Sequence, residues 1–211
     1  MLKAGRMNDS AAGLSKIFNF RAIGERLGTA GQPDQEQIRR IHDAGYEAVI
    51  NLALPTSDNA LSNEGSLVTS LGMTYIHIPV DFKKPASRDF RTFCKVMESF
   101  NERRVFIHCA ANMRVSAFVF LYRVLHQHVP VPEAQQDLQA IWQPDEAWTR
   151  FIEKELGTSR GGGARDVPAR SRSECNRKPA EFSGRSGCNR GCCGPERGWP
   201  SRSKSRLSCS V

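Results

Sequence analysis

The sequence predicts an α/β domain: a central, mostly parallel sheet flanked by helices, with a C-terminal helical cap and a basic tail beyond it. Two observations carry this. Short runs rich in branched and aromatic residues, at 46–54, 73–80 and 105–107, alternate with segments whose apolar residues recur every three or four positions. After the last run only helical patterns follow. Such alternation favours a parallel sheet covered on both faces, with ligands bound beyond the carboxyl ends of the strands.

The elements follow in order. Residues 1–16 are small and polar and read as an arm, so the body is expected to begin at 17. Apolar alternation over 17–27 ends at the turn Gly28-Thr29-Ala30-Gly31-Gln32-Pro33. A helix begins at Pro33-Asp34, shows Ile38, Ile41 and Ala44 on one face, and stops at Gly45. The run 46–54, Y-E-A-V-I-N-L-A-L, is a buried strand. Leu61, Leu67, Val68 and Leu71 mark a helix over 59–71, ended by Gly72. The strand 73–80 closes at Pro79, because proline cannot donate to a ladder. A polar loop, 81–85, leads to Ser87, expected to cap a helix to about residue 101 with Phe90, Phe93, Met97 and Phe100 inward. The strand 105–107 feeds a helix from near Arg114 to about 127. Pro130 and Pro132 break the chain, and two helices, 133–142 and 145–156, complete the cap before Gly157 stops the last.

Charge is unevenly spread. Residues 157–211 hold 12 Lys and Arg against 4 Asp and Glu, which accounts for the whole surplus of +8. The preceding 156 residues balance at 18 of each sign. The basic character therefore belongs to the tail, and specific nucleic-acid binding is not expected of the body. The tail is rich in Arg, Ser, Gly, Cys and Pro and lacks apolar periodicity, so it reads as disordered. Its Cys188, Cys192 and Cys193 lack paired C-x-x-C spacing and a histidine, so no metal is expected there. In the body, Cys94 and Cys109 stand alone, which fits a reducing compartment. No cationic-then-apolar segment opens the chain, and the most apolar stretch, 115–125, is too short to span a bilayer. A cytoplasmic protein with no membrane span is expected; the sequence does not specify its oligomeric state.

One stretch points to chemistry. Residues 105–123 read V-F-I-H-C-A-A-N-M-R-V-S-A-F-V-F-L-Y-R: strand, tight loop at His108-Cys109, helix. A cysteine between a strand end and a helix N-terminus meets unpaired backbone N–H groups. These donors, with the helix dipole, stabilise a thiolate and hold an anion. Arg114, five residues on, carries a guanidinium able to fork onto phosphate oxygens.

From His108-Cys109 to Ser116 the chain resembles the cysteine-based phosphatases of the tyrosine and dual-specificity class, whose loop reads His-Cys, five residues, Arg, then Ser or Thr. The segment 28–33, the strand end V-I-N-L at 49–52 and I-P-V-D at 78–81 add to the likeness. Together they are most similar to small bacterial phosphatase-like domains of the beta-lactamase-hydrolase-like protein group. The resemblance covers about 17–156 and none of the tail. It departs at one place: four residues, not five, separate Cys109 from Arg114. Two readings stay open. Either the loop is one residue short and Arg114 does the arginine's work, or Asn112 stands at a glycine position in a left-handed turn and Val115 at the arginine position.

The resemblance implies a phosphomonoester hydrolase that needs no cofactor, acting on a phosphorylated protein or small molecule. Cys109 is then the nucleophile, and Arg114 binds the phosphoryl oxygens. Backbone N–H groups from Ala110, Ala111, Asn112 and Met113 to Arg114 form an anion nest. Asp81 is the acid that protonates the leaving group. His108 orients the loop. Ser116 either bonds the cysteine sulfur or bonds back to a helix carbonyl. Cys94, His77, Trp142 and Trp148 read as structural. Two alternatives stand beside this: a non-catalytic anion-binding domain, and a rhodanese-like sulfurtransferase, whose loop also spaces Cys and Arg by four.

Overall fold

The computed structural model describes residues 13–161; the expectations for residues 1–12 and for the tail beyond 161 lie outside them. Five strands, β1 (Arg21–Ile23), β2 (Leu27–Ala30), β3 (Ala48–Asn51), β4 (Thr74–His77) and β5 (Val105–His108), form one sheet in the order β1-β2-β5-β3-β4. Only β1 runs antiparallel to its neighbour. This is the mostly parallel α/β architecture expected. The central strands β3 and β5 are buried at every position, as strands covered on both faces must be.

The six helices among the described residues are α1 (Gln35–Asp43), α2 (Glu64–Ser70), α3 (Ser87–Ser99), α4 (Met113–Leu125), α5 (Val131–Gln139) and α6 (Glu146–Gly161). Alternation along β5 divides the core between two faces. Val105 and Ile107 join Phe93, Phe118 and Trp148 on one side, while Phe106 joins Ile38, Ile41 and Val68 on the other. Helix α4 is buried from Arg114 to Arg123, since α5 and α6 pack over the side that the sheet does not cover.

Local chemistry sets the helix ends. Asp34 and Gln37 form a reciprocal capping box on α1, and Gly45 takes φ +83° just beyond it. Five expectations are corrected. The cap of α3 is Ala86, not Ser87, whose hydroxyl instead donates to Glu155. Pro130 and Pro132 start α5 rather than break the chain, because a missing N–H costs nothing in a first turn. Gly157 does not stop α6, which runs on to Gly161. Helix α2 starts at Glu64, later than expected, and Leu14 is already buried ahead of residue 17.

Arg123 pins the cap to the sheet. Its guanidinium bonds Asp137 at 2.5 Å and Glu133 at 3.2 Å, and Asp137 also meets Arg21 of β1 at 2.5 Å. Removing one partner of a buried ion pair strands the other. Asp137→Ala is expected to cost about 3 kcal/mol, lowering Tm by roughly 6–12 °C in calorimetry. No helix among the described residues is long and apolar enough to cross a membrane.

Candidate active site

Three strands end side by side: Ala30, His108 and Asn51 are register partners across β2, β5 and β3. The chain leaves this edge through Cys109, whose N–H donates to the Ala30 carbonyl at 3.3 Å. The next carbonyls turn outward. Ala110 O accepts from Gln32 N at 3.3 Å and from Asn59 Nδ2 at 3.0 Å; Ala111 O accepts from Asn19 Nδ2 at 3.1 Å. Gly31 backs the loop in a bridge to Ala111, and a Cβ there would lie 3.0 Å from Ala110 O. Any larger residue would push that carbonyl back by a few tenths of an ångström.

Asn112 is left-handed, at φ +66°, and its side-chain amide donates to Asn19 O at 2.7 Å and Thr29 Oγ1 at 3.1 Å. With the carbonyls held outside, the N–H groups of Ala110, Ala111, Met113, Arg114 and Val115 make no backbone hydrogen bond among the described residues. They are the orphan donors of a helix start plus two more from the loop.

Arg114 is 8% exposed; its Nε is buried without a partner, and it forms no ion pair among the described residues. Its guanidinium carbon lies 5.5 Å from the centre of the Phe82 ring. Val115 is 0% exposed and belongs to the core. Both features named in the second reading are present, a left-handed Asn112 and a buried valine at 115, while Arg114 carries the guanidinium nearest the loop in sequence.

Cys109 is 1% exposed and packs in the larger core cluster, so its sulfur is not a surface thiol. Cys94 is buried too, but on α3, where burial pushes its thiol up to about 12, with the charges of Glu98 and Glu155 adding to the shift. Asp81 is exposed, and its Oδ1 accepts from Lys83 N at 2.8 Å, a local turn. Phe82 carries this segment to the loop: its ring meets Arg114, Trp142 and Trp148, and its carbonyl accepts from Trp148 Nε1 at 2.9 Å. No hydrogen bond joins Asp81 to Cys109 or Arg114 among the described residues. Ser116 follows the second of its two expectations: its hydroxyl donates to Met113 O at 3.0 Å and accepts from Trp142 Nε1 at 3.1 Å.

Sequence reasoning missed Glu64. It is 3% exposed, and its Oε1 lies 2.5 Å from Nε2 of His108, which is 0% exposed. A glutamate at a helix start is ordinary, so nothing in its spacing marked it. Asn51 carried a weak signal as a polar residue inside the apolar run V-I-N-L. Its Nδ2 donates to Glu64 Oε2 at 2.9 Å.

Comparison with known proteins places the chain in a family. The family described as "DSP-PTPase phosphatase fused to NAD+ Kinase" matches residues 23–151, more than half of the chain. No curated protein matches. Among solved structures, a candidate phosphatase (DUF442) from Shewanella putrefaciens CN-32 is 29% identical, with a TM-score of 0.64 over 70% of this chain and 97% of that one. TpbA of P. aeruginosa, solved with pTyr, is 12% identical, with a TM-score of 0.55 over 68% and 90%. PTPMT1, solved with PI(5)P, is 13% identical, with a TM-score of 0.57 over 69% and 99%. The last two show likeness of fold alone. The chain thus belongs to the family of DSP-PTPase phosphatases that includes forms fused to NAD+ kinase, within the cysteine-based protein tyrosine phosphatase superfamily.

Proposed function

We propose that this chain hydrolyses phosphate monoesters through a phosphocysteine on Cys109, without a metal. One observation supports this most: Arg114, a buried guanidinium with no ion pair among the described residues, opens a helix beside five amides that make no backbone hydrogen bond there. A buried cation without a partner is costly, and a phosphoryl group supplies the missing charge and acceptors.

In this reading the Cys109 thiolate attacks phosphorus, the phosphorus–oxygen bond to the leaving group breaks, and Asp81 gives that oxygen its proton. Water then attacks the phosphocysteine, with Asp81 taking the proton back, and inorganic phosphate departs. Arg114 and the amides of Ala110 to Val115 hold the charge that spreads over the equatorial oxygens. His108 and Asn112 shape the loop. Ser116, bonded to Met113 and Trp142, takes no part.

Turnover of p-nitrophenyl phosphate by the full chain is the direct test. It is expected to survive a chelator and to be lost to vanadate. Asp81→Asn is expected to lower kcat about 100-fold on an alkyl phosphate, and less on p-nitrophenyl phosphate, whose leaving group needs no proton. Equal losses on both would remove Asp81 from the acid's role.

The slight exposure of Cys109 favours a second reading, anion binding without turnover. Phosphate binding in calorimetry with no hydrolysis on any monoester would establish it. A persulfide on Cys109 after thiosulfate treatment, seen by mass, would instead point to sulfur transfer.

A further inference from the structure

The anion loop is fastened from behind by a residue far from it in sequence, Asn19. Among the described residues three non-glycine residues have positive φ: Asn19 at +52°, Asn112 at +66° and His128 at +56°. The first two are bonded to each other. Asn112 Nδ2 donates to Asn19 O at 2.7 Å, and Asn19 Nδ2 donates to Ala111 O at 3.1 Å. The turn that carries Asn19 is itself anchored. Phe20 N donates to Ile17 O at 3.1 Å, Gly31 N donates to Phe18 O at 2.7 Å, and Ile17 is buried in the core.

Resting on the reading of this loop as a phosphate site, we infer that Asn19 is a positioning residue for the anion nest. It clasps residues 111 and 112 together, and so holds the left-handed turn at Asn112 on which the concave set of N–H groups depends.

Three arguments carry this. First, a left-handed residue within a run of free N–H groups is what gives a nest its hollow. Asn112 is that residue, with Ala110 and Ala111 before it and Met113, Arg114 and Val115 after it, none of whose N–H groups makes a backbone hydrogen bond among the described residues. Second, glycine would take either left-handed position with less strain, so the two side chains are explained by what they bond. Asn112 even leaves its Oδ1 buried without a partner, which costs free energy, while its Nδ2 serves two acceptors, Asn19 O and Thr29 Oγ1. Third, the two bonds converge on one turn. Ala111 O belongs to the planar peptide that leads into Asn112, so a donor on that oxygen fixes the plane from which the turn departs. The preceding peptide is held in the same manner: Asn59 Nδ2 and Gln32 N bond Ala110 O, and planarity then points Ala111 N–H the opposite way.

The test is the phosphate affinity of the full chain by calorimetry, beside its melting temperature. Asn19→Gly keeps the left-handed backbone and removes the clasp; Asn19→Ala removes the clasp and strains the backbone. The glycine variant is expected to melt above the alanine variant. Both are nonetheless expected to bind phosphate about fivefold more weakly than wild type, with kcat/KM on p-nitrophenyl phosphate falling by the same factor. Asn112→Gly is expected to lose about as much, and the double variant with Asn19→Gly to lose much less than the product of the two, because both residues hold one turn. Asn59→Ala should weaken binding only about twofold, since Gln32 N still holds Ala110 O. An affinity that follows the melting temperature, with the glycine variant binding as wild type does, makes Asn19 a structural residue and overturns the inference. A double variant that loses the full product overturns it too. A wild-type chain that binds phosphate but hydrolyses no monoester ends the phosphatase reading and leaves the clasp standing; one that binds no phosphate ends both.

Discussion

Cys109→Ser is expected to lower kcat by roughly 10⁴-fold or more while leaving phosphate binding in place. A serine hydroxyl is a weaker nucleophile toward phosphorus than the cysteine sulfur it replaces. Stability is expected to change by only about 1 kcal/mol. The oxygen is smaller than sulfur, so no neighbour has to move to admit it. The variant should therefore fold, bind phosphate in calorimetry and turn over nothing. Cys94, on α3 in the packed core, supplies the control: its replacement costs stability and leaves kcat alone. Turnover that persisted in Cys109→Ser would remove the covalent step altogether.

Most of the fold was legible because its signals are local. Asp34 and Gly45 announce α1 within twelve residues, and branched runs announce β3, β4 and β5. Errors fell where a local signal was spent on a distant partner. Ser87 looks like a cap but bonds Glu155, and Asn59 looks helical but closes on Ala110 O. The site divides the same way. Cys109 and Arg114 stand out from spacing alone. The pairing of Glu64 with His108 cannot, since it depends on how α2 docks against the end of β5. The surroundings of the Arg114 side chain were also hidden. The left-handed turn at Asn112 sends Val115 into the core and leaves Arg114 against Phe82, a choice made by the backbone and not by composition.

Arg114→Met is expected to separate activity from stability. A guanidinium that forks onto a phosphoryl group in the transition state contributes about 10³-fold to kcat/KM. Arg114→Lys should recover little of that loss, because an ammonium offers a point charge in place of two parallel donors. Stability should move the other way. Arg114 is buried, its Nε lacks a partner, and among the described residues its only neighbour of note is the Phe82 ring. Methionine fills similar space beside that ring without the charge. Its melting temperature is expected to equal or exceed wild type, by a gain of about 1 kcal/mol. Phosphate provides the cross-check. At 100 times its dissociation constant it should stabilise wild type by about 2.7 kcal/mol and the methionine variant by far less, since only the former has a cation waiting for it. A variant that melts well below wild type, or that gains as much from phosphate, would mean that the Arg114 side chain holds the fold together and leaves the anion to the amides.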